Sequence, residues 1–439
     1  MNASSPAETP KIWKVGTLTY TVSGVVTLFF LLLLGDFAIS LKDRSIGPVM
    51  QLLFRQFGAS NFTIGLVLMS LPSAIGFVIG PVISYKSDRC RTRIGRRLPF
   101  LLVATPIAAG SMAGMAFSPK VGAWLGPLFG FPAEPTVLVL LTACWVVYEF
   151  AAITAASMFS ALINDVLPAV LMGRFYGLFR AVSLVDGILF SYFILGHAEE
   201  YYVFILAGLG LVYGTVFLVM CFKIKEGEYP PPPAPVAPGR IAAIKGYFKD
   251  CYSQSHYRLA FAYFALASLA LGSFGNFAIL YAKQLQVPMA LYGKAAAVML
   301  GVSLVLSYFL GAVADRFHPL RAALAMLVIY AATLLGGFFL VTDTASFLIV
   351  YTVQGVVAGS YGTVSASLPM RILPRSAFAQ FNSAAGLVTS CCQVLYLPAL
   401  GKFLDLTGHQ YIYTFMIGSV TGLAAVSCGL IFYRRFKDC

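Results

Sequence analysis

Charge is the scarcest property of this chain. Only 11% of its 439 residues are Asp, Glu, Lys or Arg, and 59% are hydrophobic, whereas soluble domains average about 25% charged residues. A soluble fold cannot cover so much apolar surface with so few charged side chains. The composition therefore excludes a soluble globular domain and a disordered chain, and it indicates a protein that crosses a membrane many times.

Metal ligands and closely spaced cysteines are also sparse. The four histidines lie far apart, and the eight cysteines include no Cys-x-x-Cys pair. Zinc and redox sites need such ligands at short spacing, and no Ser/His or His/Asp arrangement indicates catalysis. We therefore expect a protein that is not an enzyme and that holds no metal and no cofactor.

Twelve apolar stretches are each long enough to cross a bilayer, whose apolar core takes about 20 residues of helix. They fall into two groups of six on either side of a proline-rich break. The first group lies near 24–53, 62–84, 98–117, 136–163, 173–195 and 202–222, and the second near 257–282, 291–313, 319–341, 345–369, 380–403 and 411–433.

These stretches predict an all-α membrane protein with two six-helix bundles. The first bundle covers 1–222 and the second covers 257–439. The segment 223–256 between them contains the run Pro230–Pro233, which cannot form a helix or a core strand. We expect that segment to be an extended linker.

Basic residues indicate the orientation of the chain. Most of its 30 Lys and Arg residues lie in the termini and loops on one side of the predicted spans, and positive loops face the cytoplasm. We therefore expect both termini to be cytoplasmic, in the inner or plasma membrane of a cell. The same distribution accounts for the net charge of +13 without a nucleic-acid partner.

The two groups of spans carry matching loops. Asp88-Arg89 follows the second span and Asp315-Arg316 follows the eighth, while Leu167-Pro168 aligns with Leu373-Pro374. Two halves with matching loops are typical of a transporter whose substrate site lies between the halves at mid-membrane.

These loops resemble the signature of the major facilitator superfamily, through Asp88-Arg89 with Gly95-Arg96-Arg97 and through Gly311-x-x-x-Asp315-Arg316. The longer first loop resembles that of sucrose transporters and of the glycoside–pentoside–hexuronide:cation symporters, which include melibiose permease. The resemblance implies the twelve-helix fold of that superfamily and a sugar or glycoside as cargo.

The loop motifs also predict a gate. Carboxylates and guanidinium groups at helix ends can join the two halves through ion pairs and helix dipoles. We predict gating by Asp88, Arg89, Arg96, Arg97, Asp315 and Arg316. Glycines such as Gly80, Gly311 and Gly386 are expected to permit close helix contacts.

Charged side chains inside predicted spans are functional candidates, because placing them in lipid is costly. All of them lie in the first half: Asp36, Lys42, Asp43, Arg44, Glu149, Arg180 and Asp186. The second half offers the neutral side chains of Asn276, Gln354 and Gln393 instead. We predict that ion coupling belongs to the first half and that the second half adds hydrogen bonds.

Roles follow from position and from the resemblance. Asp36, Glu149 and Arg180 resemble sugar-contacting residues of melibiose permease. Asp36 and Asp43 share one helical stripe, while Lys42 points elsewhere.

The predicted substrate-binding residues are Asp36, Arg44, Glu149, Arg180, Asn276, Gln354 and Gln393. The predicted proton-coupling residues are Asp43, Glu149 and Asp36, with Asp43 as the first candidate. The segment 42–44 could lie inside the bilayer or at its outer surface, and we favour the inside.

The predicted function is secondary active transport of a sugar or glycoside by a monomer in the lipid bilayer, through alternating access and with protons as the coupling ion. Sodium stays open, although the span 62–84 contains no acid. The alternatives are a carrier of anionic solutes such as hexuronides or acidic glycosides, which Lys42, Arg44 and Arg180 motivate, and a drug exporter.

Overall fold

The computed structural model describes residues 12–229, 240–316, 318–374 and 377–435, with the backbone alone at 240–245, 311–315 and 379. Within these residues, twelve helices are long and apolar enough to cross a membrane, as predicted. In chain order they are α1 (Val22–Gln56), α2 (Asn61–Arg89), α3 (Leu98–Leu128), α4 (Ala133–Val166), α5 (Ala169–His197), α6 (Tyr202–Lys223), α7 (Ser255–Gln284), α8 (Met289–Arg316), α9 (Pro319–Leu340), α10 (Thr344–Ile372), α11 (Phe378–Leu406) and α12 (Tyr413–Arg435).

Helix α1 carries the charged segment 42–44 near its middle. The Thr21 side chain caps its start by accepting a hydrogen bond from the Gly24 N–H at 3.3 Å. Its 35 residues run to Gln56 without interruption, a length of roughly 52 Å against an apolar bilayer core of about 30 Å. Because the segment 42–44 lies within two turns of the midpoint, this helix favours the prediction that it sits inside the bilayer.

The two halves repeat the same packing. In the first half the main packed pairs are α1–α5, α1–α6, α2–α4, α3–α4 and α3–α6. In the second half they are α7–α11, α7–α12, α8–α10, α9–α10 and α9–α12. Each pair recurs after a shift of six helices. The internal repeat that the matching loops predicted is therefore present throughout both bundles.

Two helix pairs make most of the contacts between the halves. Helix α2 packs against α11, and α5 packs against α8. The six-helix shift converts one of these pairs into the other, so the interface follows the symmetry of the repeat. It lies between the halves, where the sequence predicted the substrate site.

The linker differs from its prediction. The proline run at 230–239 lies outside the described residues, but Arg240–Tyr252 forms a helix, so the expectation of an extended chain over all of 223–256 is wrong. This linker helix contains no proline, and the Tyr252 hydroxyl donates to the Ala384 carbonyl of α11 at 2.9 Å. The helix is thereby attached to the second half.

A short hairpin precedes α1, which the sequence analysis did not predict. Strand β1 (Trp13–Val15) pairs antiparallel with β2 (Leu18–Tyr20). The two-residue turn begins at Gly16, whose φ of +55° is a conformation that favours glycine. The Thr17 hydroxyl accepts the Glu228 N–H at 2.9 Å, which attaches the hairpin to the chain that follows α6.

Candidate functional site

The predicted charged residues of the first half gather on three neighbouring helices. Asp36, Lys42, Asp43 and Arg44 come from α1, Glu149 from α4, and Arg180 and Asp186 from α5. Helix α1 packs on α5 along its length and also contacts α4. The structure therefore brings together side chains that lie far apart in the sequence.

Asp43 and Lys42 form an ion pair but have opposite environments. The Lys42 ammonium contacts one carboxylate oxygen of Asp43, and its side chain is only 4% exposed, whereas the Asp43 side chain is 57% exposed. A carboxylate near the middle of a membrane helix is unfavourable against lipid. We infer that Asp43 faces a water-accessible space between the halves.

Arg44 approaches α5 beside Asp186. A β-carbon on Gly187 would lie 3.5 Å from Cδ and 3.6 Å from Nε of Arg44, so the Arg44 side chain lies against α5 at this glycine. Arg44 interacts electrostatically with Asp186 and also with Arg180. It is therefore the cation that links α1 to α5.

Asp36 and Asp186 are buried carboxylates. Their exposed fractions are 0% and 1%, and the two interact electrostatically. The Ser40 hydroxyl donates to Oδ1 of Asp36 at 3.3 Å. Within the described residues, Oδ2 of each aspartate has no hydrogen-bond partner. An unsatisfied buried carboxylate is costly when charged.

Glu149 and Arg180 complete the group. Glu149 is half-buried on α4 next to Tyr148, and it interacts electrostatically with Lys42. Arg180 is exposed on α5. Together these side chains offer carboxylates and guanidinium groups that can bind several hydroxyls of one solute, and Arg180 has the planar fork suited to paired hydrogen bonds.

The three predicted residues of the second half occupy different settings. Asn276 lies where α7 is interrupted between Gly275 and Ala278, and such breaks often border transport sites. Gln354 is buried and donates to the Tyr330 hydroxyl at 2.8 Å. The Gln393 amide accepts from Ser73 at 3.0 Å and donates to Ser268 at 2.9 Å. In this conformation Gln393 joins α2, α7 and α11, and substrate contact by these three residues stays a prediction.

One end of the interface is closed by hydrogen bonds between the halves. The backbone N–H groups of Asn61 and Phe62, at the start of α2, each donate to the Asp405 carboxylate of α11 at 2.9 Å. The Tyr411 hydroxyl donates to Oδ1 of Asn61 at 2.5 Å, and Nδ2 of Asn61 lies 2.8 Å from Nδ1 of His409. Asp405 thus satisfies helix-end donors that α2 cannot satisfy itself. We call this end the closed end.

Glycines allow the backbones to meet at the closed end. A β-carbon on Gly401 of α11 would lie 2.3 Å from the Asn61 carbonyl oxygen. In the α5–α8 pair, a β-carbon on Gly293 would lie 2.2 Å from the Ser191 carbonyl oxygen. Both contacts lie at or near π-helical turns, Gly65–Ser70 in α2 and Phe190–Ile194 in α5. Such turns are frequent at functional sites.

At the opposite end, which we call the open end, α2 and α11 separate. A groove of about 320 Å³ lies between Ala74 and Val78 of α2 and Ser390 and Val394 of α11. Further along, no described atom lies within 4 Å of a β-carbon placed on Gly80 or Gly386. The expectation of close helix contacts at these two glycines is wrong for this conformation. The side chain position of residue 311 is not described.

The predicted gating loop forms its ion pairs inside the first half. Arg97 contacts Asp88 at 2.5 Å and Asp165 at 3.0 Å, and Arg96 contacts Asp165 at 2.6 Å. Burial opposes the charge of Arg96, but the Asp165 carboxylate holds the pKa of Arg96 above its usual value. Arg89 stacks on the Tyr85 ring. Arg316 is exposed, and the side chain of Asp315 lies outside the described residues. Gating by these residues stays a prediction.

Sequence reasoning missed several residues of these networks. Glu226, just after α6, accepts the backbone N–H groups of Arg96, Arg97 and Leu98 at 2.9, 2.8 and 2.7 Å. Asp165 and Asp405 were also left out of the predicted sites. The available signal was that each is an isolated acid at the end of an apolar span, where it can cap or pair with a neighbouring helix end.

Comparisons with known proteins agree with this architecture. A profile of the MFS/sugar transport protein family matches residues 14–401. Over 105 residues, 23% of this chain, the sequence is 34% identical to a sucrose transport protein of Oryza sativa subsp. indica, and the match spans only 19% of that relative. Two similar structures are a D-xylose-proton symporter (TM-score 0.67, 14% identity, 92% of this chain and 97% of that one) and the xylose transporter XylE from E. coli in an inward-open conformation (TM-score 0.66, 15% identity, 91% and 95%). At these identities the two structures show the fold alone.

Proposed function

The chain belongs to the MFS/sugar transport protein family and is a transporter rather than an enzyme; on that premise we propose that it carries a sugar or glycoside across a cell membrane by alternating access, coupled to protons. The observation that carries the proposal is the charged group of α1, α4 and α5. It lies near the middle of these helices, beside an interface that is closed at one end and separated at the other.

The substrate site in this proposal lies between the halves. Asp43 and Arg180 present exposed charged groups, and Asn276 borders the break in α7. A carboxylate, a guanidinium group and an amide together supply acceptors and donors for neighbouring hydroxyl groups. The sucrose and xylose named for the similar proteins are accordingly the first neutral sugars to test.

The orientation in this proposal follows the basic loops. The Arg-rich segment 89–97 and the basic residues of the linker lie at the open end, and positive loops favour the cytoplasmic side. The described conformation is then inward-facing, with both termini cytoplasmic, and the protein works as a monomer.

The coupling ion in this proposal is the proton. Helix α2 contains no acid before Asp88, so carboxylates for a sodium site are missing there. Asp36 and Asp186 are acids whose burial and missing hydrogen bonds oppose their charged forms, and Glu149 is a half-buried acid of the same group. A group whose charged form is unfavourable can bind and release a proton during the cycle.

A second candidate cargo is an acidic sugar. The guanidinium groups of Arg44 and Arg180 interact electrostatically, and two adjacent cations favour a carboxylate ligand. A hexuronide or acidic glycoside would satisfy both.

A binding panel tests the cargo. Purified protein in nanodiscs is titrated with sucrose, xylose, melibiose and glucuronic acid, and ligand binding is read as an increase in melting temperature. We expect a neutral sugar to bind and Arg180→Lys to weaken its binding by about tenfold or more, because lysine keeps the charge but lacks paired donors.

Arg174→Lys is the matched control, since Arg174 is exposed on the same helix nearer the open end. It should leave binding unchanged. Binding of glucuronic acid alone would favour the second candidate, and binding of none of these ligands would contradict carriage of these sugars.

A further inference from the structure

Lys42 occupies a closed compartment within the first half. Its side chain is 4% exposed, and its ammonium lies 5.9 Å from the ring centroids of both Tyr148 on α4 and Tyr213 on α6. These rings are themselves buried. Of the charged groups described around it, Asp43 makes a direct ion pair and Glu149 interacts from α4.

The positive charge of a buried ammonium needs a compensating negative or electron-rich group nearby. The two aromatic faces attract the cation, but ring contacts at about 6 Å are weaker than an ion pair with a carboxylate. Breaking a buried ion pair by removing one partner leaves the other charge uncompensated. The buried Lys42 therefore depends on Asp43 for charge compensation, and the contact constrains the orientation of the more exposed Asp43 side chain.

The ion pair also fixes the direction of Asp43. One carboxylate oxygen is held by Lys42 on the buried side of α1, while the side chain as a whole remains 57% exposed. The second oxygen is not held by Lys42, and the exposure of the side chain leaves it accessible.

We propose that Lys42 is a positioning residue that holds one oxygen of Asp43 and leaves the other oxygen free to bind the substrate. Lys42 does not touch the substrate and acts through Asp43. This inference rests on the proposed function and deepens it, because it gives the neighbouring acids different tasks. Asp43 accepts hydrogen bonds from substrate hydroxyls throughout the cycle, and the proton is carried by acids that have no direct ion pair, with Glu149 nearest. Glu149 therefore replaces Asp43 as our first candidate for proton coupling.

A double-mutant cycle tests whether Lys42 acts through Asp43. The variants are Lys42→Met, Asp43→Asn, the double variant K42M/D43N and Lys42→Arg. The affinity for the sugar that stabilises the wild-type protein in the panel of sucrose, xylose and melibiose is measured by calorimetry in nanodiscs. Melting temperatures without sugar are recorded for all variants.

We expect K42M and D43N each to weaken binding by about ten- to a hundredfold, the range for loss of a hydrogen bond to a charged group. In the D43N background, K42M should change affinity by less than about twofold, because its target has been removed. Lys42→Arg keeps the cation and the stacking on aromatic rings, so it should bind more tightly than K42M. The double variant carries no uncompensated charge from the pair, so it can still be compared with D43N if K42M unfolds. If D43N unfolds, K42M and Lys42→Arg are compared with the wild type instead.

Three results would overturn the inference. K42M could bind sugar as well as the wild type, the losses of K42M and D43N could multiply in the double variant, or Lys42→Arg could be as damaging as K42M. If the wild-type protein binds none of the sugars, the proposed function fails first, and this inference fails with it.

Discussion

At the scale of single residues, this chain uses burial to give chemically similar side chains different states. Asp36 and Asp186 are almost fully buried, whereas Asp43 is largely exposed and paired with Lys42. Glu149 lies between these extremes. Because a charge is costly without water or a partner, a negative charge is less favourable at Asp36 and Asp186 than on an exposed carboxylate.

The sequence indicated which charges matter but not how they pair. Each ionisable residue stood out because its span is otherwise apolar. The helical stripe set Lys42 apart from Asp36 and Asp43, but it did not predict that the Lys42 side chain pairs with Asp43. Its position between Tyr148 and Tyr213 was not predictable, because it depends on how α4 and α6 pack against α1.

Neutralising Glu149 should separate exchange from accumulation. Glu149→Gln mimics the protonated acid permanently, so the carrier can reorient with sugar but cannot release a proton. We expect counterflow to continue in proteoliposomes, while sugar accumulation driven by a pH gradient falls by about tenfold or more. A positioned proton-transfer group typically contributes about a hundredfold or more in rate.

The control for this change is Glu134→Gln, which makes the same substitution in the first turn of α4 at the closed end. It should retain both activities. If Glu149→Gln still concentrates sugar against its gradient, the proton is carried by another acid. Loss of both activities would instead assign Glu149 to substrate binding.

At the scale of elements, the closed end is a helix-capping arrangement made between two halves. The first N–H groups of α2 have no acceptors within their own helix. The Asp405 carboxylate of α11 accepts hydrogen bonds from two of them. The sequence predicted both helices from their apolar length. It could not predict this contact, because a cap contributed by a residue more than three hundred positions away leaves no local signal.

Removing the charge of Asp405 should open the closed end more often. Hydrogen bonds to charged groups contribute about 1.5–3 kcal/mol, so Asp405→Asn should shift the equilibrium between the two conformations by roughly ten- to a hundredfold. We expect faster amide hydrogen exchange at the start of α2. We also expect it at Leu195–His197 and the start of α8, because these lie in the other contact between the halves.

Asp343→Asn provides a matched control at the same end. Asp343 caps α10 within the second half by accepting from Ser346 at 2.8 Å, and these hydrogen bonds hold its pKa below the usual value. Its substitution should affect only the start of α10. If Asp405→Asn speeds exchange only at the start of α2, then Asp405 is a local cap and does not hold the halves together.

At the scale of the whole molecule, the same five helix pairs occur in each half, and α2–α11 and α5–α8 join them. The sequence predicted the twelve spans and the repeat, because hydropathy sets span length and the loop motifs recur. It did not predict the conformation. Which end is closed depends on small free-energy differences between two packings of the same helix surfaces. In this conformation, no described atom lies within 4 Å of a β-carbon placed on Gly80 or Gly386.

The central claim is that sugar and protons move together through this asymmetric molecule, and one measurement tests it most directly. Proteoliposomes containing a trapped pH-sensitive dye are given an inward gradient of the sugar that the panel identifies, while labelled sugar reports uptake. The account predicts that sugar entry acidifies the lumen, and that Glu149→Gln removes the acidification while sugar exchange continues. Uptake of labelled sugar by the wild-type protein with no change in lumenal pH would contradict it.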